Sequence, residues 1–148
     1  MAIFALSSCS NPLDEVEFRY DVISENSVAV NGFSFKIKTM SNLKGHVIEN
    51  LEIPSKVKID GKKYKVEKIK WIGSGQMRRI TIPNTVTSIE DGAFAGCGSL
   101  ICMELPNSVT NIGKEVFRGC IFLTKVTMPN TIESIGDRAF WGCYALNN

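Results

Sequence analysis

The stretch ITIPNTVTSIEDGAFAGCGSLIC, residues 80–102, recurs without a gap as MELPNSVTNIGKEVFRGCIFLTK, residues 103–125, and as VTMPNTIESIGDRAFWGCYALNN, residues 126–148. Seven columns are identical in the three units, and in the first unit they are Pro83, Asn84, Ile89, Phe94, Gly96, Cys97 and Leu100. Three more columns that are always apolar begin at Ile80, Ile82 and Val86. A 23-residue period of this kind is typical of stacked repeats, because one unit cannot bury its apolar face alone.

The three units are expected to share the same local structure. Ile80, Thr81 and Ile82 alternate apolar and polar side chains, which predicts a short strand with one buried face. The proline that follows has no N–H to donate and ends the strand. Residues 91–95 suit about one helical turn that directs Phe94 inward, and Gly96 fits a left-handed stop. We therefore expect an α/β-type repeat of short parallel strands and single helical turns, with columns of stacked phenylalanine and cysteine in its core.

These units resemble the BspA-type leucine-rich repeat of bacterial and some protozoan surface proteins, whose pattern is roughly L-x-x-I-x-I-P-x-S-V-T-x-I-G-x-x-A-F-x-x-C. Two positions depart from the pattern: Glu90 stands where glycine is usual, and Val116 stands where alanine is usual. The resemblance implies a leucine-rich-repeat solenoid and a non-enzymatic, surface-exposed module with an adhesion-like role. It covers residues 80–148 strongly and residues 51–79 more weakly.

Residues 51–79 are predicted to form a remodelled first repeat. Leu51-Glu52-Ile53-Pro54 matches the strand and its proline, and Val66 and Ile69 match the Val-x-x-Ile step. Between them, Asp60-Gly61 separates two alternating runs, which predicts an inserted hairpin.

Residues 14–50 are expected to form a β-rich cap over the first repeat, since a solenoid end exposes its core. Residues 18–23 and 28–30 are strand candidates, and Asn31-Gly32 is expected to turn the chain into an alternating strand at residues 33–38. The sequence stops inside the third unit, so three alternatives are open: the natural protein continues, a partner covers this end, or the end is an open edge. End-to-end association through such an edge is one hypothesis.

Residues 1–13 read as a truncated lipoprotein signal and tether. Leu6-Ser7-Ser8-Cys9 resembles a bacterial lipobox, in which the cysteine, here Cys9, carries the lipid. The apolar part is short and lacks a basic start, so a buried or frayed apolar segment is the alternative. The lipobox reading predicts export to the cell envelope and membrane attachment through the lipid anchor only.

Basic residues are concentrated in one segment of the chain. Residues 56–79 hold nine lysines and arginines and two acidic residues, whereas the whole chain has a net charge of +2. The cluster is either a solvated hairpin or a patch for an anionic surface. The candidate anion patch consists of Lys56, Lys58, Lys62, Lys63 and Lys65. An acidic polysaccharide or a membrane surface fits an exported protein better than nucleic acid does.

The polar strand positions of the repeats should form columns on one sheet face, which is where solenoids bind partners. The candidate binding surface consists of Arg79, Thr81, Cys102, Glu104, Lys125 and Thr127. Their mixed chemistry indicates no ligand class beyond protein or glycan, and plain solvent exposure is the alternative for any one of them.

Catalytic and metal sites are not indicated. The single histidine, His46, has no recognisable catalytic partner, and no phosphate-binding or nucleophile motif occurs. Cys97, Cys120 and Cys143 are spaced as a core column and lack the close pairs of a zinc site. We therefore predict no enzyme activity, no metal and no cofactor. The leading hypothesis is a binding module for protein or glycan; the alternatives are an assembly module and an anion-binding module.

Overall fold

The computed structural model describes residues 3–8, 15–36, 48–73 and 76–146. Within these ranges the chain forms strands and turns. The strands are β1 (Ile3–Ser8), β2 (Glu15–Val22), β3 (Ser27–Lys36), β4 (Ile48–Glu52), β5 (Lys56–Ile59), β6 (Lys62–Trp71), β7 (Met77–Thr81), β8 (Ser88–Ile89), β9 (Cys102–Glu104), β10 (Asn111–Ile112), β11 (Lys125–Thr127) and β12 (Ser134–Ile135).

Two sheets run along the stack of repeats. A four-stranded sheet has the order β11-β9-β7-β4, and every neighbouring pair in it is parallel. The eight-stranded sheet follows the path β1-β2-β3-β6-β8-β10-β12, with β5 paired to β6. Each repeat gives one strand to each sheet, as expected for a solenoid in which successive units stack as rungs. The predicted parallel leucine-rich-repeat architecture is confirmed.

The 23-residue period sets the register of the four-stranded sheet. Ile80 pairs with Met103, and Met103 pairs with Val126, so equivalent positions lie directly above one another. The apolar members point into the core, where Ile80 and Met103 are buried. Alternation along the strand leaves the polar neighbours on the outer face.

The phenylalanine column is the centre of the core. The rings of Phe94 and Phe117 stack with centroids 5.5 Å apart, and those of Phe117 and Phe140 lie 5.2 Å apart. Phe94 and Phe117 are completely buried, while Phe140 in the last unit is half-buried. The expected ladder of aromatic rings is therefore present, and its burial depends on a rung on either side.

The expected single helical turn at residues 91–95 is wrong in detail, because the described residues contain no helix. The N–H groups of Gly92, Phe94 and Gly96 donate to carbonyls of the next rung at 2.8, 2.9 and 2.7 Å. Alternate residues instead close i→i+3 turns, such as Ala95 N–H to the Gly92 carbonyl at 2.9 Å. Half of the backbone donors are thus used between rungs, which an α-helix does not allow. Gly96 does adopt the expected left-handed conformation, with φ of 75°.

Glu90 shows why the repeat tolerates a departure from glycine at only one of its three positions. A Cβ added at Gly113 would lie 2.6 Å from the backbone nitrogen of Asp91, and one added at Gly136 would lie 2.5 Å from that of Lys114. Regular rungs approach too closely there for any side chain. Glu90 faces β6 of the remodelled unit, and its carboxylate reaches Lys68 at 3.7 Å.

The inserted hairpin in the remodelled unit is confirmed. Strands β5 and β6 are antiparallel, with Ile59 paired to Lys62 across a two-residue loop. Asp60 and Gly61 have φ of 48° and 84°, so both central residues are left-handed, as a type I′ turn requires. Val57 and Ile59 are buried and fix the hairpin to the core.

The N-terminal region is β-structured where it is described. Strands β2 and β3 are antiparallel, and β3 joins the stack by pairing in parallel with β6. The expected turn at Asn31-Gly32 is wrong, because β3 runs through both residues. There Arg19 alone lies opposite Asn31 and Gly32, so the register shifts, and Gly32 absorbs the irregularity with φ of 111°.

The first strand, β1, pairs antiparallel with β2. This pairing agrees with the alternative in which the N-terminal apolar segment is part of the domain. Cys9, the expected lipid-attachment residue, lies outside the described residues, and so does the end of the expected strand at residues 37 and 38. The lipid anchor stays a prediction.

Candidate binding surfaces

The outer face of the four-stranded sheet brings the six strand-position residues together in two rows. Arg79, Cys102 and Lys125 are successive partners in the parallel register, and so are Thr81, Glu104 and Thr127. Five of the six are exposed, and Cys102 is half-buried between its neighbours. The residues form one continuous polar surface, as their spacing predicted, and its role in binding stays a prediction.

Two residues extend this surface that the sequence reasoning missed. Asn50 pairs with Arg79, and Glu52 pairs with Thr81, so β4 adds a fourth rung to both rows. The hydroxyl of Thr81 donates to Asn50 Oδ1 at 3.1 Å, and Asn50 Nδ2 donates to Glu52 Oε1 at 3.2 Å. The match of Leu51-Glu52-Ile53-Pro54 to residues 80–83 was the signal that could have placed them.

A shallow groove of about 450 Å³ lies on this face. Its lining includes four of the six strand-position residues, and the full set is Asn50, Arg79, Ile80, Thr81, Ile82, Cys102, Glu104, Leu105 and Pro106. The lining therefore contains one cationic group, one anionic group, a hydroxyl and an amide. Such a surface suits a polar ligand, held by several separate hydrogen bonds.

The cysteine column is a core element. Cys97, Cys120 and Cys143 are free thiols, and Sγ of each donates to a carbonyl of the preceding rung, at 3.0, 3.3 and 3.0 Å. Burial raises the pKa of Cys97 and of Cys120 to about 12, and it also raises the pKa of Cys143. A thiol that stays protonated is a poor nucleophile and a poor metal ligand.

No other chemistry is gathered in the part of the chain that the structure describes. Nowhere in residues 3–8, 15–36, 48–73 and 76–146 do three or more His, Cys, Asp or Glu side chains come together as a metal site. The same ranges contain no helix that could cross a membrane. His46 lies outside them.

The predicted anion patch divides between two faces of the hairpin. Lys56 pairs with Lys65, and Lys58 pairs with Lys63, so these four side chains share the outer face. Lys62 lies on the other face, with its ammonium 5.2 Å from the centre of the Tyr64 ring. The structure therefore brings four of the five lysines together and separates the fifth.

The face of the third repeat is open among the described residues. Ile135 is 47% exposed, whereas Ile112 and Ile89 beneath it in the same column are 2% and 1% exposed. Met128 is likewise 43% exposed, although its column is buried in the two preceding repeats. Members of two core columns are thus exposed in the third repeat, and Trp141 of the same repeat is 58% exposed.

The comparisons with known proteins agree with this architecture. Residues 41–148 match the family described as BspA type leucine rich repeat region, in six copies. A search of curated protein sequences gives no significant match. Among solved structures, the T. pallidum leucine rich repeat protein superposes with a TM-score of 0.61 at 23% identity, covering 87% of this chain and 66% of that one.

Two further solved structures were compared with the chain, and the first of them shares its fold. The pneumococcal vaccine antigen PcpA superposes with a TM-score of 0.55 at 19% identity, over 95% of this chain and 42% of its own. A leucine rich cell surface protein of Faecalibacterium prausnitzii has a TM-score of 0.42 at 18% identity, over 93% of this chain and 46% of its own. The chain spans less than two thirds of each of these proteins. Because the family match extends over most of its length, the chain belongs to the BspA-type leucine-rich-repeat family.

Proposed function

We propose that the chain is a non-enzymatic binding module that recognises a protein or a glycan on the outer face of its four-stranded sheet. The main support for the proposal is the pair of continuous polar rows on that face, which include the charged residues Arg79, Glu104 and Lys125. These side chains are exposed, so they contribute little to folding and are available to a partner. The groove on this face is lined by Arg79 and Glu104.

The proposal is tested by removing the charges of the two rows without disturbing the core. The variant Arg79→Ser/Glu104→Ser/Lys125→Ser is compared with the parent for binding to arrayed glycans and to immobilised extracellular proteins. A matched control, Lys114→Ser/Asp137→Ser/Arg138→Asn, removes the same charges from exposed positions at the corner of the stack. Asparagine is used because Arg138 has φ of 56°.

The expected result is at least a tenfold loss of affinity in the strand-face variant and less than a threefold change in the control. Both variants should unfold at the urea concentration of the parent within error. Equal losses in the two variants, or full binding by the strand-face variant, would show that the sheet face is not the binding surface.

We further propose that the protein works at the cell envelope, attached through Cys9. The support is the lipobox-like Leu6-Ser7-Ser8-Cys9, together with membership of a family that includes surface proteins. Palmitate labelling of the gene product in its native host, with Cys9→Ala as the control, tests the anchor. Label in the parent and none in the variant supports it; an unlabelled parent that stays in the cytoplasm contradicts it.

A second candidate function is assembly through the open face of the third repeat. Its support is the exposure of Met128 and Ile135, whose columns are buried in the two preceding repeats, together with the exposed Trp141 of the same repeat, since exposed apolar surface marks interaction sites. Light scattering should then show association that rises with concentration and disappears in Ile135→Lys/Trp141→Lys. A parent that stays monomeric at 100-fold different concentrations would exclude this function.

A further inference from the structure

The lysines of the remodelled unit fall into two classes by their ion pairs. On the body of the solenoid, Lys68 and Lys70 are paired with carboxylates, Lys68 with Glu90 at 3.7 Å and Lys70 with Asp21 at 3.0 Å. Lys65, at the base of the hairpin, is also paired, with Glu67 at 3.1 Å. The basic charge of this part of the surface is therefore largely neutralised within the protein.

Three other lysines of the hairpin are not neutralised. Among the described residues, Lys56, Lys58 and Lys63 have no ion pair, and all three are exposed. They share one face with Lys65, because Lys56 lies opposite Lys65 and Lys58 lies opposite Lys63. Like charges directly opposite one another are unfavourable in a sheet. A hairpin that served folding alone would be better with opposite charges at these pairs.

The face is held rigidly in place. Val57 and Ile59 alternate with the lysines on β5 and are buried, so the register of the hairpin cannot shift without exposing them. The I′ turn at Asp60-Gly61 closes the hairpin with the twist that its strands need. The backbone positions of the lysines are therefore fixed relative to one another before any ligand arrives, which reduces the ordering cost of binding.

We propose that this face, Lys56, Lys58 and Lys63 with Lys65 at its border, is a second binding site that takes a linear acidic polysaccharide. The Cβ atoms of neighbouring lysines lie about 5 Å apart across the strands and about 7 Å apart along them. That strip can meet successive sulfate or carboxylate groups of one extended chain. Lysine suits such groups because its three N–H donors rotate freely and need no fixed fork geometry.

The surroundings of the strip favour a polysaccharide over other polyanions. None of the large apolar side chains that the structure shows exposed lies between residues 56 and 65, so the hairpin offers nothing to insert into a membrane. Single-stranded nucleic acid binds chiefly where aromatic rings are open for stacking. The ring of Tyr64 is half-buried and has Lys62 over it.

The experiment measures binding of the full chain to size-defined dextran sulfate at 50 and 200 mM NaCl. The variant Lys56→Gln/Lys58→Gln/Lys63→Gln removes the free lysines. A control, Lys68→Gln/Lys70→Gln/Lys114→Gln, removes three lysines that lie off the strip and lowers the net charge equally. A third variant, Lys56→Arg/Lys58→Arg/Lys63→Arg, keeps the charges.

The patch variant should bind at least tenfold more weakly at 50 mM NaCl and depend less steeply on salt, since fewer counterions are released. The control should change by less than threefold, and the arginine variant should retain binding. Equal losses in the patch variant and the control would mean that net charge alone attracts the polymer, and this would overturn the proposal. So would tighter binding to phosphatidylserine vesicles or to single-stranded DNA than to dextran sulfate of equal charge.

Discussion

The three regular repeats and the remodelled unit before them stack in the same two sheets, yet they use different lengths of chain. In the four-stranded sheet, Ile80 and its partner Met103 are 23 residues apart, whereas Leu51 and its partner Ile80 are 29 apart. The extra length is the hairpin, which enters at the corner between the two sheets, while the following corner is shortened. The apolar partners keep their places in the core in both cases.

This difference distinguishes the residues that stabilise the fold from the exposed residues that are available to bind a partner. In the first two regular repeats the apolar shared columns are buried, and alternate backbone donors of the corner bond to the next rung. In the remodelled unit the inserted residues contact the core through Val57, Ile59 and the half-buried Tyr64, and they present lysines to solvent. Insertions at loop positions of a repeat array commonly lie on its binding face.

The largest effect is expected from breaking the regular stack at its centre. Phe117→Ala removes a completely buried ring that stacks on Phe94 and Phe140, and it should lower the free energy of unfolding by about 3–5 kcal/mol. Phe140→Ala should cost less, because that ring is half-buried. Urea unfolding measures both. A loss below about 1 kcal/mol for Phe117→Ala would show that the column is not the core.

A smaller effect is expected where regular rungs touch. Gly113→Ala forces a Cβ to within 2.6 Å of the Asp91 nitrogen, so the rungs must separate, and the free energy of unfolding should fall by about 1–3 kcal/mol. The matched control is Glu90→Ala, at the same repeat position against the remodelled unit, with an expected change within about 0.5 kcal/mol. Equal changes in both variants would mean that the two kinds of rung pack alike there.

The sequence predicted the columns well, because a fixed period dictates the register once the strands are parallel. Arg79, Cys102 and Lys125 could be aligned from their spacing alone. The hairpin could also be predicted, because Asp60-Gly61 between two alternating runs favours the type I′ turn of a two-residue loop.

The errors arose where contacts distant in sequence override local preference. Residues 91–95 have a composition suited to a helical turn, but their N–H groups bond to the next rung instead. Asn31-Gly32 has the composition of a turn, but β3 is held extended by β2 on one side and β6 on the other. Which lysines of the remodelled unit are neutralised also depends on carboxylates such as Asp21 and Glu90, which pair with Lys70 and Lys68. Their proximity is set by stacking.

The cysteine column gives a test at alkaline pH. Burial raises the pKa of Cys97 from 9.0 to about 12, so between these values the unfolded chain loses this proton and the folded chain keeps it. Stability from this thiol is present below pH 9 and is lost as pH rises, by about 1.4 kcal/mol per pH unit. Between pH 8 and pH 10, Cys97→Ala should therefore lose about 1.4 kcal/mol less than the parent in urea unfolding.

The control for this test is Val109→Ala, which removes buried methyl groups and no ionisable group, so it should lower stability by the same amount at pH 8 and at pH 10. If Cys97→Ala declines with pH as steeply as the parent does, the thiol is not shielded in the column, and the regular repeats are looser than their geometry indicates.

The sharpest test of the division between folding and recognition is the free energy of unfolding of Lys56→Gln/Lys58→Gln/Lys63→Gln, measured in urea without added salt and again in 1 M NaCl. If these lysines serve binding and destabilise the fold, removing the repulsion between lysines that lie opposite one another should raise the free energy of unfolding by about 0.2–1 kcal/mol. The gain should shrink in 1 M NaCl, where the charges are screened. A loss of more than about 1 kcal/mol, unaffected by salt, would contradict this division and make the lysines part of what holds the hairpin in place.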